Sequence, residues 1–233
     1  LAHDFKQPIR QITTFTQLIS EGMRDVVEPE LNQHLTFLRD AARRLGKLVD
    51  VMSQYTLLNQ PPELTDIDLK RVLANVKAVL APYLAERRAK LTAPPRSVKV
   101  RGNETLLTQV LQNLIVNGLQ YNQRSGPRVD ITAQRSSGHW TIEVRDNGIG
   151  IDAQYLSEIF KPLVRLHTAG EYAGTGLGLT LARKAVLAQK GAIWCESTPR
   201  QGSIFHIRLP VAQSLSKGSK AHPRPIVGKL TAA

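Results

Sequence analysis

Four short stretches of the chain carry side chains able to do chemistry, and they follow one another in a definite order. The first is His3-Asp4, with Pro8 beyond it. A neutral imidazole nitrogen is a nucleophile when the second ring nitrogen is held and polarised, and a neighbouring carboxylate can orient the ring and take its proton. Pro8 falls within a helical pattern, removes a backbone hydrogen bond and should bend the helix near the histidine. The second stretch holds Asn113 and Asn117, spaced to share one helix face; their amide oxygens are hard ligands suited to Mg²⁺. The third, Asp146-Asn147-Gly148-Ile149-Gly150, puts a carboxylate at a strand end before two glycines that let backbone pass close to a ligand. The fourth, Gly174-Thr175-Gly176-Leu177-Gly178-Leu179, runs into a helix whose free N–H groups and dipole favour phosphate oxygens. One short glycine motif arises easily by chance. The weight lies in all four together, each on the element it needs.

Taken together, residues 2–10, 109–117, 146–151 and 174–179 resemble the histidine kinase family, and the resemblance spans residues 1–211. It implies that His3 is the phospho-acceptor and Asp4 the acid that orients it. Asp146 would accept a hydrogen bond from the adenine amino group, with Gly148 and Gly150 beside the base. Gly174, Thr175, Gly176, Leu177 and Gly178 would form a mobile lid running into the phosphate-binding helix. Asn117 matches the family's Mg²⁺ ligand, with Asn113 on the same face. Tyr121 matches an aromatic near the nucleotide, and packing into the core is an equal reading. In the segment 158–165, Phe160 would pack the lid; Arg165 would meet the phosphates or stand as a surface arginine. The implied cofactors are ATP and Mg²⁺, and the implied partner is the receiver domain of a response regulator. The stretch 165–174 is similar to that of phytochrome-like kinases.

Three positions depart from the family pattern. Gln120 replaces a lysine near the phosphates, a charge that Arg124 or Arg165 would have to supply. Leu163 replaces a phenylalanine. Gln7 stands where members with phosphatase activity carry threonine or asparagine to place a water; its longer arm argues against that activity. Related ATPases of the gyrase, Hsp90 and mismatch-repair type carry a hydrolytic glutamate where this chain has Asn113, and lack His3. The alternatives to a kinase are therefore such an ATPase, or a dimeric scaffold with a degraded nucleotide site.

The elements that must position these residues are also legible. In residues 1–60, Leu1, Phe5, Ile9, Ile12, Ile19, Met23 and Val26 form one apolar stripe, and Leu31, Leu35, Leu38, Ala42, Leu45, Val49 and Met52 another. Pro29 between them suits the first turn of a second helix. Two helices with one stripe each form a hairpin, and pairing two hairpins into a four-helix bundle covers both stripes, so a homodimer is expected. Residues 61–66 read as a linker. From 67 to 211 the texture is α+β: helices over 68–88, 104–121 and 177–189, and strands at 90–92, 97–100, 129–134, 140–145, 192–196 and 203–209 closing an antiparallel sheet, with Ser136-Ser137-Gly138 as a turn. The fold class expected is a dimeric helical hairpin followed by an α/β sandwich that binds ATP.

Composition narrows the rest. The formal net charge is +12, of which Lys217, Lys220, Arg224 and Lys229 supply four with no opposing acid in residues 212–233, read as a disordered basic tail. No basic motif interleaved with aromatics points to nucleic acid. No apolar run is long enough for a membrane span and no leader opens the chain, so a cytoplasmic fragment without membrane contact is expected, its parent free to be anchored upstream of Leu1. A single cysteine, Cys195, excludes an internal disulfide. His34, His139, His167, His206 and His222 lack the context of His3.

Overall fold

The computed structural model describes residues 2–22, 29–57, 60–164, 166 and 176–212. The chain opens with α1 (Ala2–Gly22) and α2 (Pro29–Leu57), which pack against each other. Ile9, Thr16 and Ala42 are buried on the side where they meet. Thr16 tolerates burial because its hydroxyl donates to the Ile12 and Thr13 carbonyls, 2.8 and 2.9 Å away. Gly46 lets the helices approach: a Cβ there would stand 3.5 Å from Ile9. Pro29 opens α2, where its missing N–H has no intrahelical partner to lose, and Glu30 follows in the favourable first turn. The second apolar set of each helix stays in water. Ile12 and Ile19 on α1, and Leu31, Leu38, Leu45 and Met52 on α2, recur every seven residues and are 41–59% exposed.

The rest forms one α+β body: β1 (Thr65–Asp68), α3 (Leu69–Glu86), β2 (Lys90–Thr92), β3 (Lys99–Gly102), α4 (Glu104–Gln120), β4 (Arg128–Ser136), β5 (His139–Asp146), α5 (Gly178–Ala188), β6 (Ala192–Thr198) and β7 (Gly202–Pro210). Five strands make the main sheet in the order β2-β4-β5-β7-β6, and β1 pairs β3 in a separate ribbon. Alternate residues Val129, Ile131, Ile142, Val144, Phe205, Ile207 and Leu209 turn to one face and join a core with α3, α4 and α5. Leu107, Leu111, Ile115 and Leu119 on α4 are fully buried there, each worth about 1.5–3 kcal/mol of transfer free energy. At the β4–β5 turn, Ser137 (φ 47°) and Gly138 (φ 77°) are both left-handed, the two-residue turn that matches strand twist. Asp68 caps α3 through a bond from Lys70 N–H, and Asn103 caps α4 through one from Leu106 N–H.

The structure corrects the sequence reading in three places. The sheet is mixed, not antiparallel: β2 runs parallel to β4, with Leu91 opposite Val129. The strand expected at 97–100 lies at Lys99–Gly102, outside the main sheet. Its partner β1 takes in Thr65 and Asp66 from the expected linker and Asp68 from the expected helix. β1 is four residues long with only Ile67 buried, too short an alternation to register as a strand.

Candidate functional site

The end of α4, the end of β5, the loop after it, β7 and the start of α5 converge on one open cavity of about 100 Å³. Asn117 and Gly118 line it from α4, Tyr121 from the residue that caps α4, and Asp146, Ile149, Gly150 and Ile151 from β5 and its loop. Ser203 and Phe205 come from β7, Leu179 from α5, and Ile159, Val164 and Leu166 from the intervening segment. The lining is mostly apolar with a few convergent polar groups.

Asp146 is the chemical centre of this wall. It is buried, and its Oδ1 accepts two backbone hydrogen bonds, from Gly148 N–H at 2.8 Å and Ser203 N–H at 3.1 Å. Burial pushes its pKa up to about 6, and the two backbone donors only partly offset this. The carboxylate is thus ionised at neutral pH but poorly solvated, an acceptor in need of a donor.

The glycines around it are there for close approach. A Cβ on Gly148 would lie 2.4 Å from the Tyr121 carbonyl oxygen, and one on Gly150 (φ +73°) 2.1 Å from that of Thr198. The loop is stitched on both sides: Ile149 N–H donates to the Tyr121 carbonyl at 3.0 Å, and Ile151 N–H to Ser197 Oγ at 2.8 Å. Asn147 points away to brace the neighbouring loop, accepting from Asn122 Nδ2 (2.6 Å) and Arg128 N–H (2.8 Å) and donating to the Gly126 carbonyl.

Asn117 and Tyr121 line the cavity, whereas Asn113, one turn earlier, is tied to α5: its Nδ2 donates to the Gly178 carbonyl at 3.2 Å. Gly176 (φ +71°), Leu177 and Gly178 lead into α5, and the carbonyl of Gly176 accepts from Leu163 N–H at 3.1 Å. Unlike α3 and α4, α5 starts without a side-chain cap: Leu177 occupies that position. Among the described residues no N-cap side chain takes its first-turn N–H groups, and the buried Thr180 hydroxyl in the same turn has no hydrogen-bond partner. Arg124 does not reach toward this end; its Nη2 donates to the Arg200 carbonyl at 3.0 Å.

His3 and Asp4 lie in the first turn of α1, and their side chains are outside the described set, as are Arg165, Gly174 and Thr175 altogether. Gln7 is exposed and borders a groove along α1 with Lys6, Arg10, Gln11, Thr14 and Phe15. Sequence reasoning missed Gly118, Ser203 and the apolar walls. A Cβ on Gly118 would stand 2.7 Å from that of Asp146, so it is what lets α4 pack against the aspartate. The signal for it was there, an isolated glycine inside a strong helical pattern. Ser203 acts through its backbone N–H, which no side-chain pattern reveals. Among the described residues no group of three or more His, Cys, Asp or Glu could hold a metal ion, and no helix is long and apolar enough to cross a membrane.

Residues 102–213 match the family described as histidine kinase-, DNA gyrase B- and HSP90-like ATPase. Among curated proteins, the chain is 33% identical over 215 residues to cyanobacterial phytochrome A of Nostoc sp., covering 90% of this chain and 28% of that one. It is 30% identical over 221 residues to the adaptive-response sensory kinase SasA of Crocosphaera subtropica, covering 91% and 58%. The full-length ShkA structure in complex with AMPPNP superposes with a TM-score of 0.70 at 24% identity, over 92% of this chain and 45% of that one. Over nine tenths of its length the chain is similar to part of a phytochrome and to a sensory kinase, and within that span residues 102–213 carry the ATPase-type match. It spans 28% of the length of the phytochrome.

Proposed function

We propose that the chain transfers the γ-phosphoryl group of ATP to His3 and then passes it to an aspartate on the receiver domain of a response regulator. Asp146 is the observation that carries this reading. A desolvated carboxylate is held at the wall of an apolar cavity with Oδ1 occupied by two backbone donors. Its other oxygen then accepts the adenine amino group, while Ile149, Ile151, Leu179 and Phe205 enclose the base. The phosphates lie toward the start of α5, where the missing cap leaves backbone donors for an anion.

The amide oxygen of Asn117 suits Mg²⁺, which is usually held by one or two protein oxygens together with substrate phosphates. Asn113 is a weaker candidate ligand because its Nδ2 is committed to the Gly178 carbonyl. Bound there, Mg²⁺ would neutralise phosphate charge during transfer. The chain's own part is positioning. Asp146 and the glycine loop fix the base, Asn113 anchors α5 to α4, and Asp4 orients the imidazole of His3 and takes its proton. Asn113 also supports transfer over hydrolysis, since an amide cannot act as the base that activates water.

The heptad-spaced apolar residues left in water on α1 and α2 support a homodimer through a four-helix bundle. A receiver partner is supported by the solved complex of the histidine kinase ThkA with the response regulator TrrA, which this chain matches with a TM-score of 0.63 at 20% identity, over 88% of this chain and 59% of that one. With those partners the reaction belongs to the cytoplasm. Gln7, in place of a shorter threonine or asparagine, leaves the chain a kinase without strong phosphatase activity. The division into helical hairpin, linker, ATP-binding domain and tail is part of the same reading, with the linker ending before Thr65, where β1 begins. The test is incubation with labelled ATP and Mg²⁺. Label on the protein that is acid-labile, alkali-stable and absent in His3→Ala is the expected result; free phosphate without protein label would mean an ATPase, and neither product a scaffold.

A further inference from the structure

Asn103 sits where three parts of the molecule meet. Its Oδ1 accepts from Leu106 N–H at 3.1 Å and caps α4. Its backbone N–H donates to Gln189 Oε1 at 2.9 Å; Gln189 is fully buried at the end of α5 and donates in turn to the Ala185 carbonyl. The remaining donor, Asn103 Nδ2, reaches the Glu63 carbonyl at 3.2 Å. Glu63 precedes β1, in the stretch that joins α2 to the ATP-binding body.

This placement has a physical consequence. The β1–β3 ladder begins at Thr65 opposite Gly102, so the amide of the next residue, Asn103, extends that clamp backward from Thr65 to Glu63. Its base is fixed, because Gln189 Oε1 packs on Gly102 where a Cβ would stand at 2.7 Å. Capping alone does not require asparagine, since aspartate or serine accepts the same N–H bond. Only the amide both accepts for the cap and donates to Glu63.

We propose that Asn103 is a positioning residue for transfer to His3, fixing the point at which the hinge between the helices and the ATP-binding body ends. The inference rests on the kinase reading above. Shortening a tether raises the effective concentration of the tethered groups and narrows their orientations. With the anchor the body's hold on the chain begins at Glu63; without it, it begins at Thr65. One exposed hydrogen bond limits the effect to about two- to fivefold.

The experiment uses Asn103→Asp, which keeps the cap and loses the donor, and Asn103→Ser, which keeps a shorter cap and cannot reach Glu63. Phosphohistidine formation is followed against ATP concentration, with heat denaturation alongside. The expected result is a kcat about two- to fivefold lower in both variants, with KM for ATP and the melting temperature unchanged. A kcat equal to or above the parent's in either variant overturns the inference, as does a KM that rises in either, which would mean a disturbed nucleotide site. A parent chain that binds ATP but forms no phosphohistidine overturns the kinase reading, and the inference with it.

Discussion

The two halves of this chain solve the burial problem differently. The α+β body closes its own core: Leu107, Leu111, Ile115 and Leu119 are withdrawn from water by a sheet and neighbouring helices of the same chain. Among the described residues of α1 and α2, Ile9, Thr16 and Ala42 are buried while a seven-residue apolar repeat stays in solvent. A helix pair has too few neighbours to cover two stripes, whereas a five-stranded sheet with three helices has enough. The body therefore lines its cavity from its own elements, while the helices that bear His3 keep an exposed apolar repeat.

The comparison can be attacked from either side. The largest effect is expected inside the body: Leu111→Ala should destabilise it by about 3 kcal/mol, as removal of a fully buried leucine does, read by chemical denaturation. A cost under about 1 kcal/mol would mean that the body is less self-sufficient than described.

Asp146→Asn separates site from fold. The amide oxygen still accepts from Gly148 and Ser203, but its NH₂ now meets the adenine amino donor. ATP affinity should fall roughly thirtyfold, measured by displacement of a fluorescent nucleotide, with no loss of melting temperature at pH 7.5. Acidity provides a second reading. With a pKa of about 6, lowering the pH from 7.5 to 5.5 protonates most of the carboxylate and should weaken ATP binding about fourfold, a drop missing in the variant. The sign for stability is opposite. The folded pKa lies above the unfolded 3.8, so the folded state binds the proton first, and the unligated body gains stability from this group as pH falls from above 6 toward 3.8.

Of the three substitutions, the smallest effect is expected in the helices. Leu45→Ala should weaken the dimer roughly tenfold, each copy losing a half-buried leucine contact, as read by sedimentation, while ATP binding by the body stays as it was. A dimer of unchanged strength would mean that the repeat is covered by something else.

Much of this was readable from the sequence, for reasons specific to the residues. α4 announces itself because its apolar positions keep the helical period over its whole length, and Asn113, Asn117 and Tyr121 ride on it. The Asp146 loop is legible because only glycine can sit 2.4 Å short of a carbonyl, so the side-chain pattern records the geometry. β1 was hidden because one buried isoleucine makes no pattern. The parallel pairing of β2 was hidden too, because three residues do not encode direction. Ser203 and the second Asn103 donor escaped for another reason: one works through backbone, and the other does two jobs of which only capping has a sequence signature.

The bare start of α5 also bears on how this domain balances order against use. α3 and α4 carry their own terminal acceptors, Asp68 and Asn103, and are finished whether or not anything is bound. α5 has Leu177 there, with no side-chain cap, and on the proposed reading a phosphate of the nucleotide would complete it. Placing a capping residue at that position would add about 1 kcal/mol of local order and occupy the donors an anion needs. If the phosphates do bind there, part of the nucleotide's binding energy is deferred folding, left for the substrate to finish on arrival.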